Sequence, residues 1–339
     1  MYPESNKRLS ALLNNKELVM MEPLISVIMP CYNHARFLPE AVASLQAQVY
    51  PHWECIIVND GSSDNTAQVG ARLAAVDSRV RLISQQNRGP SPARNRGLEE
   101  ARGQLVHFLD ADDYILPEMY EKMAEVFQIR SDVAAVYSGY QFVTAERAVM
   151  RSFPVLPESG DVFHDLLEGN RWPCHTIMVR KATVDSVGRF DESKALYGCE
   201  DWDLWLRIAS TGGKFIPVNG ESACYRRYPN TISKDNRRML ETGFAVIEKN
   251  LQLHKSCRLC KTAATRGRLR WGIYCCNGFR GEVQEIPMTG KLFGYLRFLF
   301  SIARTDLRVT CLVLGTLLRV VARNLARRKS PALNAESGK

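Results

Sequence analysis

The sequence predicts an α/β fold with a mostly parallel sheet flanked by helices. Short apolar runs that are typical of buried strands alternate with segments of helical spacing up to residue 137. Two of these runs end in acidic clusters, Asp60-Gly61-Ser62-Ser63-Asp64 and Asp110-Ala111-Asp112-Asp113. Ligands of open α/β sheets bind beyond the carboxyl ends of the strands, so these acids indicate a candidate binding site.

The predicted elements follow the apolar pattern in chain order. Strands are expected at 24–29, 53–58, 80–83, 104–109 and 133–137. Helices are expected at 36–48, 66–75, 93–101 and 117–127, with Asp64 or Asn65 as a cap and Pro117 in a first turn. Beyond residue 140, strands are expected at 176–179 and 214–218, a helix after Asp201, and mostly helix at 235–285.

Length and composition limit the class of protein. The 339 residues suffice for one large α/β domain with an appendage or for two small domains. With 45% hydrophobic and 24% charged residues, the chain is expected to be globular. Ten scattered cysteines and a polar start at residues 1–20 favour a reducing cytosol. The sequence contains no uninterrupted run of 18 apolar residues, so a membrane-spanning helix is not predicted.

Five segments of the chain form a recognisable set of motifs. They are Pro30-Cys31-Tyr32-Asn33, Asn59-Asp60-Gly61-Ser62-Ser63-Asp64, Asn87-Arg88-Gly89-Pro90-Ser91-Pro92-Ala93-Arg94, Asp110-Ala111-Asp112 and Glu200-Asp201. Together they resemble the family 2 glycosyltransferases, which transfer a sugar from a nucleotide sugar. The resemblance implies a GT-A fold over 24–235, with a Rossmann-like nucleotide-binding half at 24–115 and an acceptor half at 116–235. Residues 1–23 are then a lead-in, and 236–339 a helical C-terminal region.

The resemblance assigns residues to the donor nucleotide. Pro30, Tyr32 and Asn33 are expected to form one wall of its pocket, and Asp60 to face the base or ribose. A carboxylate suits that task because it accepts hydrogen bonds from an imide or a sugar hydroxyl. Arg94 is expected either to touch the nucleotide or to brace Asp60 or Asp110. The segment after Asp60 also has the composition of a simple turn.

Asp110-Ala111-Asp112 is expected to hold Mg²⁺ or Mn²⁺. Side chains two apart in an extended segment point the same way, and these cations prefer carboxylate and diphosphate oxygens. By resemblance, Asp112 binds the metal, and Asp110 binds the ribose or a metal-bound water. Asp113 is expected to serve the following helix.

Glu200-Asp201-Trp202-Asp203 resembles the acidic pair that carries the reaction in this family. We expect Asp201 to be the general base on the acceptor hydroxyl and Glu200 to be an orienting or acceptor-binding residue, with the choice between Asp201 and Asp203 as base left open. One base without an enzymic nucleophile implies a single displacement with inversion. An acidic first turn favoured by the helix dipole is the structural alternative. Trp202 or Trp205 is a candidate for stacking on an acceptor sugar.

A later segment, Cys224-Tyr225-Arg226-Arg227-Tyr228, resembles the segment that closes over the diphosphate in members of this family. Arg226 or Arg227 is the expected contact, since guanidinium suits phosphate geometry. Tyr228 stands where relatives often have histidine, so no metal ligand is assigned there. The Gln-x-x-Arg-Trp signature of processive synthases does not occur, which favours single addition.

Two further patterns lie near the C-terminus. His254-x-x-Cys257-x-x-Cys260 has the spacing of a partial zinc site, but Cys275-Cys276 completes it poorly, so reduced thiols are expected. Residues 291–329 carry nine lysine or arginine residues and one acid. This segment predicts a basic amphipathic helix, or helix pair, on an anionic membrane surface, with packing on the domain as the alternative. Nucleic acid is not an expected partner.

The sequence therefore predicts an inverting, metal-dependent glycosyltransferase. Its donor is a nucleoside-diphosphate sugar, and its acceptor is a glycan or a lipid-linked molecule. The expected setting is the cytoplasmic face of a membrane, in cell-surface polysaccharide biosynthesis. Two rivals are a sugar nucleotidyltransferase and a non-catalytic scaffold on the same fold. A nicotinamide-dependent enzyme is disfavoured because no Gly-x-Gly-x-x-Gly follows the first strand.

Overall fold

The computed structural model describes residues 22–228 and 231–283. One sheet holds the nine strands found there: β1 Ile25–Cys31, β2 Trp53–Asp60, β3 Val80–Gln85, β4 Leu105–Phe108, β5 Tyr114–Ile115, β6 Val133–Val143, β7 Val149–Phe153, β8 Ile177–Arg180 and β9 Lys214–Arg226. The α-helices of the same residues are α1 Leu38–Gln46, α2 Thr66–Val76, α3 Pro90–Glu100, α4 Met119–Ile129, α5 Val162–Leu167, α6 Lys181–Ser186, α7 Glu200–Ser210, α8 Asn236–Leu251 and α9 Arg258–Val283.

The chain divides into two compact units. Unit 1 contains the sheet with α1–α4 and α6, and it comprises residues up to Gly160, Trp172–Phe190 and Thr211–Arg227. Unit 2 contains α5 and α7–α9, and it comprises Asp161–Arg171, Asp191–Ser210 and residues from Tyr228 onward. Two segments before residue 235 therefore group with the C-terminal helices. The predicted domain boundary at 235 stays a prediction.

The first half of the sheet is parallel, as the sequence predicts. Its strands lie in the order β3-β2-β1-β4, and each neighbouring pair is parallel. All residues of β2 and β4 are buried, as are six of the seven residues of β1, with Pro30 half-buried. Strands covered on both faces read as continuous apolar runs, which explains why the sequence reveals them.

The second half of the sheet is mixed. Strand β6 pairs parallel with β9 but antiparallel with β8 and β7, and β4 pairs antiparallel with β8. The turn at 144–148 joins β6 directly to β7, and a short turn can join only antiparallel strands. Strand β6 is also longer than the predicted 133–137. The two-residue β5 and the exposed β7 were not predicted.

The helices match the predicted positions, with shifted starts. In α1 the buried residues are Leu38, Ala41, Val42 and Leu45, at the predicted spacing. Helix α3 begins at Pro90 instead of 93, and α4 begins at Met119, so Pro117 precedes its first turn. Asp64 fulfils the predicted capping role, because its carboxylate accepts the Thr66 N–H at 2.9 Å, whereas Asn65 makes no capping bond.

Unit 2 is helical, as predicted for 235–285. Helix α9 packs on α8 and α5, and α7 packs on α5 and α8. None of the helices within 22–228 and 231–283 has the length and apolar character that a membrane-spanning segment needs. The predicted lead-in before residue 22 and the predicted basic helix at 291–329 lie outside the described residues.

Candidate active site

The strand order creates a switch point between β1 and β4. Strand β2 lies on one side of β1 and β4 on the other, and ligand sites of α/β sheets form where the order reverses in this way. The carboxyl end of β1 leads to Asn33 and His34, and that of β4 leads to Asp110 and Asp112. His34 Nδ1 lies 3.9 Å from Asp112 Oδ1. The first predicted motif and the Asp-x-Asp motif therefore meet at this edge.

The Asp-x-Asp segment forms a turn directly after β4. The N–H of Asp113 donates to the carbonyl oxygen of Asp110 at 3.0 Å. The side chains of Asp110, Asp112 and Asp113 are 33%, 14% and 1% exposed. The first two carboxylates therefore reach the surface of unit 1, and the third is directed into the protein.

Arg94 braces Asp110. Its buried guanidinium, held on α3, donates from Nη2 to Asp110 Oδ1 at 2.7 Å. Burial alone would raise the pKa of Asp110, but the charges of Arg94 and His175 lower it below its usual value. The carboxylate is thus ionised at neutral pH. Of the roles left open for Arg94, the structure shows the bracing of Asp110, and a contact with nucleotide stays a prediction.

Asp113 forms a buried pair with His175, which the sequence did not single out. His175 Nδ1 lies 3.0 Å from Asp113 Oδ2. Burial raises the pKa of Asp113 to about 7. Burial alone would lower the pKa of His175, but the facing carboxylate of Asp113 raises it instead. The pair therefore retains a proton near neutral pH and fixes the inner end of the Asp-x-Asp turn. The alternative role of Asp113 as a cap or first-turn acid of the next helix is wrong, because its carboxylate faces His175 and accepts the Arg226 N–H, and Glu118 occupies the cap position.

The loops after β1 and β2 are tied together by two side chains. Asn33, at a positive φ of 57°, accepts the N–H of Ser63 at 2.8 Å with its side-chain oxygen. Asp64 accepts the N–H of Ala35 at 3.1 Å in return. Asparagine tolerates this left-handed backbone better than most residues. Asn33 thus shapes the wall predicted for the nucleotide.

Asp60 organises the loop before α3. Its buried carboxylate accepts the N–H of Arg88 at 2.9 Å, the N–H of Gly89 at 2.8 Å and the Gln85 side chain at 2.8 Å. Gly61 follows at φ +69°, and a Cβ there would lie 2.7 Å from the Asn87 nitrogen. The acidic loop and the loop at 87–89 therefore touch. Whether Asp60 also faces a nucleotide stays a prediction.

Pro30 and Tyr32 flank this corner of unit 1. Pro30 sits in β1 opposite Val58 and is half-buried. Tyr32 is 49% exposed, directly beyond the end of β1. An exposed aromatic ring beside a switch point is available for a ligand. Contact of either residue with a nucleotide stays a prediction.

Arg226 holds the Asp-x-Asp turn through a buried guanidinium. It is 1% exposed, and its guanidinium donates to the Asp112 carbonyl at 2.7 Å, the Ala145 carbonyl at 2.5 Å and the Glu40 carboxylate at 2.6 Å. All three of its nitrogens thus bond protein groups. The structure gives Arg226 a positioning contact with the Asp-x-Asp turn, and its predicted contact with the donor is untested.

Glu200 and Asp201 open α7 in unit 2. Glu200 is buried and accepts the Gly198 N–H at 2.6 Å. Asp201 is half-buried, accepts the Trp202 N–H at 2.7 Å and lies 3.4 Å from the Asn170 amide nitrogen. Acids in a first turn are favoured by the helix dipole, so their position agrees with both interpretations.

Asp203 is built into the interior of unit 2. It is fully buried, and its carboxylate lies 2.8 Å from Arg207 Nε, 2.9 Å from Lys249 Nζ and 2.8 Å from the Asn250 amide nitrogen. A carboxylate enclosed by two cations and an amide cannot reach an acceptor hydroxyl in this conformation. The choice between the two aspartates therefore favours Asp201.

Neither tryptophan of α7 is available to stack on a sugar. Trp202 and Trp205 are both fully buried, and Trp202 Nε1 donates to the Leu166 carbonyl at 2.7 Å. The predicted stacking role is wrong because the apolar face of α7 takes both rings into the core. One tryptophan was expected there, but both lie in the core.

Unit 1 thus carries an α/β site with surface carboxylates at its switch point, and the chain is similar in sequence to known proteins. The Glycosyl transferase family 2 profile matches residues 26–183. TuaG of Bacillus subtilis strain 168, whose name assigns it to teichuronic acid biosynthesis as a glycosyltransferase, is 30% identical over 69% of this chain and 90% of its own length. The chain therefore belongs to glycosyltransferase family 2.

Solved structures share the fold at low sequence identity. Staphylococcus aureus TarS 1-349 in complex with UDP-GlcNAc is 20% identical, with a TM-score of 0.62 over 87% of this chain and 85% of that one. A mannosyltransferase of Pyrobaculum calidifontis in complex with GDP-Man and Mn²⁺ is 17% identical, with a TM-score of 0.53 over 84% of this chain and 87% of that one. The predicted GT-A type of fold is thereby confirmed.

Proposed function

We propose that this glycosyltransferase transfers a sugar from a nucleoside-diphosphate sugar to an acceptor hydroxyl with inversion. The observation that carries the proposal is the Asp110-Ala111-Asp112 turn at the switch point. Arg94 donates to the Asp110 carboxylate and favours its ionised form. Family membership favours the transferase over the nucleotidyltransferase rival. Asp201, with Glu200 beside it, remains the proposed base.

The residues at the turn fit a divalent cation. Asp112 and Asp110 present hard carboxylate oxygens at the surface of unit 1, and Mg²⁺ or Mn²⁺ takes one or two carboxylates together with diphosphate oxygens. When bound, such an ion neutralises the charge that develops on a leaving diphosphate. Before any ligand arrives, Arg94 holds the Asp110 carboxylate, and Arg226 holds the backbone carbonyl of Asp112.

The donor nucleotide is assigned to the corner formed by Pro30, Tyr32, Asn33 and Asp60. Asn33 and Asp60 fix the loops at 62–64 and 87–89, so the backbone of both loops is pre-organised. Pre-organisation lowers the entropic cost of binding a flexible ligand. Complexes of two proteins of this fold, one with UDP-GlcNAc and one with GDP-Man, support a nucleotide sugar here and leave the base open.

Asp201 is proposed to remove the acceptor proton. A half-buried carboxylate in a helix first turn can accept a proton on its oxygen as the hydroxyl attacks the anomeric carbon. The enclosure of Asp203 between Arg207 and Lys249 supports Asp201 over Asp203 as this base. Because no protein nucleophile is assigned, the reaction is a single displacement, and the anomeric configuration inverts.

The acceptor is proposed to be a glycan or lipid-linked molecule of cell-surface polysaccharide assembly. The name of TuaG, which places that relative in teichuronic acid biosynthesis, supports this setting. A location at the cytoplasmic face of the membrane is proposed from the family resemblance and from the basic pattern at 291–329. That segment lies outside the described residues.

The test is release of nucleoside diphosphate from UDP-, GDP- and dTDP-sugars, with Mn²⁺, Mg²⁺ or EDTA. We expect slow hydrolysis of one donor, dependent on metal and abolished in Asp112→Ala. Asp132→Ala is the matched control, because Asp132 is an exposed acid that pairs with Arg130 and Lys214 at the surface. Activity that is equal in Asp112→Ala and Asp132→Ala would contradict the metal assignment. With an acceptor in hand, a retained anomeric configuration in the product would contradict inversion.

A further inference from the structure

Three potential metal ligands of unit 2, His164, Cys257 and Cys260, have ligand atoms within 4.8 Å of one another, and a fourth, His254, lies beside Cys260. His164 comes from α5, His254 from the turn at Gln252–His254, and Cys257 and Cys260 from the start of α9. His164 Nε2 lies 3.1 Å from Cys260 Sγ and 3.7 Å from Cys257 Sγ. His254 Nδ1 lies 3.7 Å from Cys260 Sγ. The sequence pattern supplied three of these ligands, and the fold supplies the fourth.

We propose that His164, His254, Cys257 and Cys260 bind one structural Zn²⁺ ion. Zinc in structural sites is four-coordinate, and two cysteines with two histidines is one of its common ligand sets. Bond lengths of about 2.3 Å to sulfur and 2.0 Å to nitrogen, at a tetrahedral angle, place sulfur and nitrogen ligands about 3.5 Å apart. The three sulfur–nitrogen distances of 3.1, 3.7 and 3.7 Å scatter around that value.

The surroundings of the cluster resemble the outer shell of a zinc site. Asp161 Oδ2 lies 2.5 Å from His164 Nδ1, and this bond leaves Nε2 to face the sulfurs. A carboxylate behind a ligating histidine is the usual way in which proteins fix the ring and raise its basicity. The Cys260 N–H donates to Cys257 Sγ at 3.3 Å, which favours a thiolate there.

The two thiols differ in their environment. The Cys260 N–H and the His164 ring lower the pKa of Cys257 to about 7. Burial raises the pKa of Cys260 to about 12. Zinc binding would release the thiol protons to solvent and stabilise both thiolates. Both cysteines are reduced in the structure, so neither is committed to a disulfide. In this ligand set, His164 takes the place of Cys275-Cys276, which completes the sequence pattern poorly.

The site would fix α5 against the beginning of α9. Residues on and after α5 touch the helix that carries Asp201: the Leu166 carbonyl accepts from Trp202, and Asn170 approaches Asp201. Zinc would therefore stabilise the packing of α5 on α7 within unit 2. The inference does not depend on the proposed function, because metal content and transfer activity are separate measurements.

The experiment measures zinc by elemental analysis in the full chain, expressed with zinc and purified without chelator. We expect about one zinc per chain in the wild type and in Cys55→Ala, which removes a buried thiol from β2. Loss of zinc is expected in Cys257→Ala and in His254→Gln. Because His254 is exposed, the substitution His254→Gln should leave the folding of the chain intact. Asp161→Asn should retain zinc but release it to a chelator at about 10 to 100-fold lower chelator concentration.

Replacement of zinc by Co²⁺ provides a second readout. The strong visible absorption of tetrahedral, thiolate-bound Co²⁺ is expected in wild type and absent in Cys257→Ala. Equal, trace amounts of zinc in wild type and Cys257→Ala would overturn the proposal. A zinc-free wild-type chain with a Cys257–Cys260 disulfide would also overturn it, in favour of a redox pair.

Discussion

Asp203→Asn separates structural from chemical roles among the acids of α7. Asp203 is fully buried, while its partner Arg207 is 13% exposed and Lys249 is 37% exposed. Removal of one charge from a buried ion pair costs about 3–5 kcal/mol. Lys249 keeps Asp191 at 2.7 Å and is partly screened by solvent, so the lower end, about 3 kcal/mol, is expected.

The assay compares the thermal unfolding of Asp203→Asn with that of Asp201→Asn. A loss of about 3 kcal/mol corresponds to a decrease in Tm of roughly 6 to 12 °C for Asp203→Asn. Asp201→Asn weakens a helix-dipole interaction, about 0.3–1 kcal/mol, while the amide oxygen can still accept the Trp202 N–H, so the variant should retain nearly the wild-type Tm while losing turnover. If Asp203→Asn melts like wild type but loses turnover, the assignment of Asp201 as base is refuted.

Three other changes test the donor corner and the interior of unit 1. Arg94→Met should reduce turnover about 100-fold by releasing Asp110, whereas Arg96→Ala, on an exposed part of α3, should not; equal rates would contradict the bracing role. Gly61→Ala should lose at least about 1–2 kcal/mol of stability because of its positive φ, against no loss in Gly160→Ala, where a Cβ meets open space. Burial lowers the pKa of His107 to about 4, so its stabilising contribution is present above pH 6.5 and is lost as pH falls towards 4. Between pH 6.5 and 4, the free energy of unfolding should therefore fall more steeply for wild type than for His107→Gln, by up to about 3 kcal/mol in total. Parallel curves of unfolding free energy against pH would contradict this role of His107.

The sequence predicted the half of the sheet that carries the proposed donor site, the corner formed by Pro30, Tyr32, Asn33 and Asp60. Strands β1, β2 and β4 are buried on both faces, so they leave apolar runs that need no other information. Strand β7 is mostly exposed and β5 has two residues, so neither leaves such a pattern. The predicted fold class is confirmed, and the mixed pairing of β6 was missed because pairing direction depends on connections that the pattern does not show.

The sequence predicted the motifs of the candidate site but not the residues that hold those motifs in place. Asp110 and Asp112 stand out by spacing, whereas His175 and Glu40 become partners only through tertiary contacts with Asp113 and Arg226. For the same reason, the fourth ligand of the proposed zinc site was invisible in the sequence. The buried state of both tryptophans in α7 follows from packing on two sides, which helical spacing alone does not reveal.

The most direct test of the donor site is calorimetry of nucleoside diphosphates with and without Mn²⁺, because it needs no acceptor. We predict that one nucleoside diphosphate binds wild type only with metal, and that Asp112→Ala abolishes this binding while Asp132→Ala retains it. Absence of binding by UDP, GDP and dTDP with metal present would contradict the nucleotide-sugar transferase and leave a non-catalytic scaffold on the same fold.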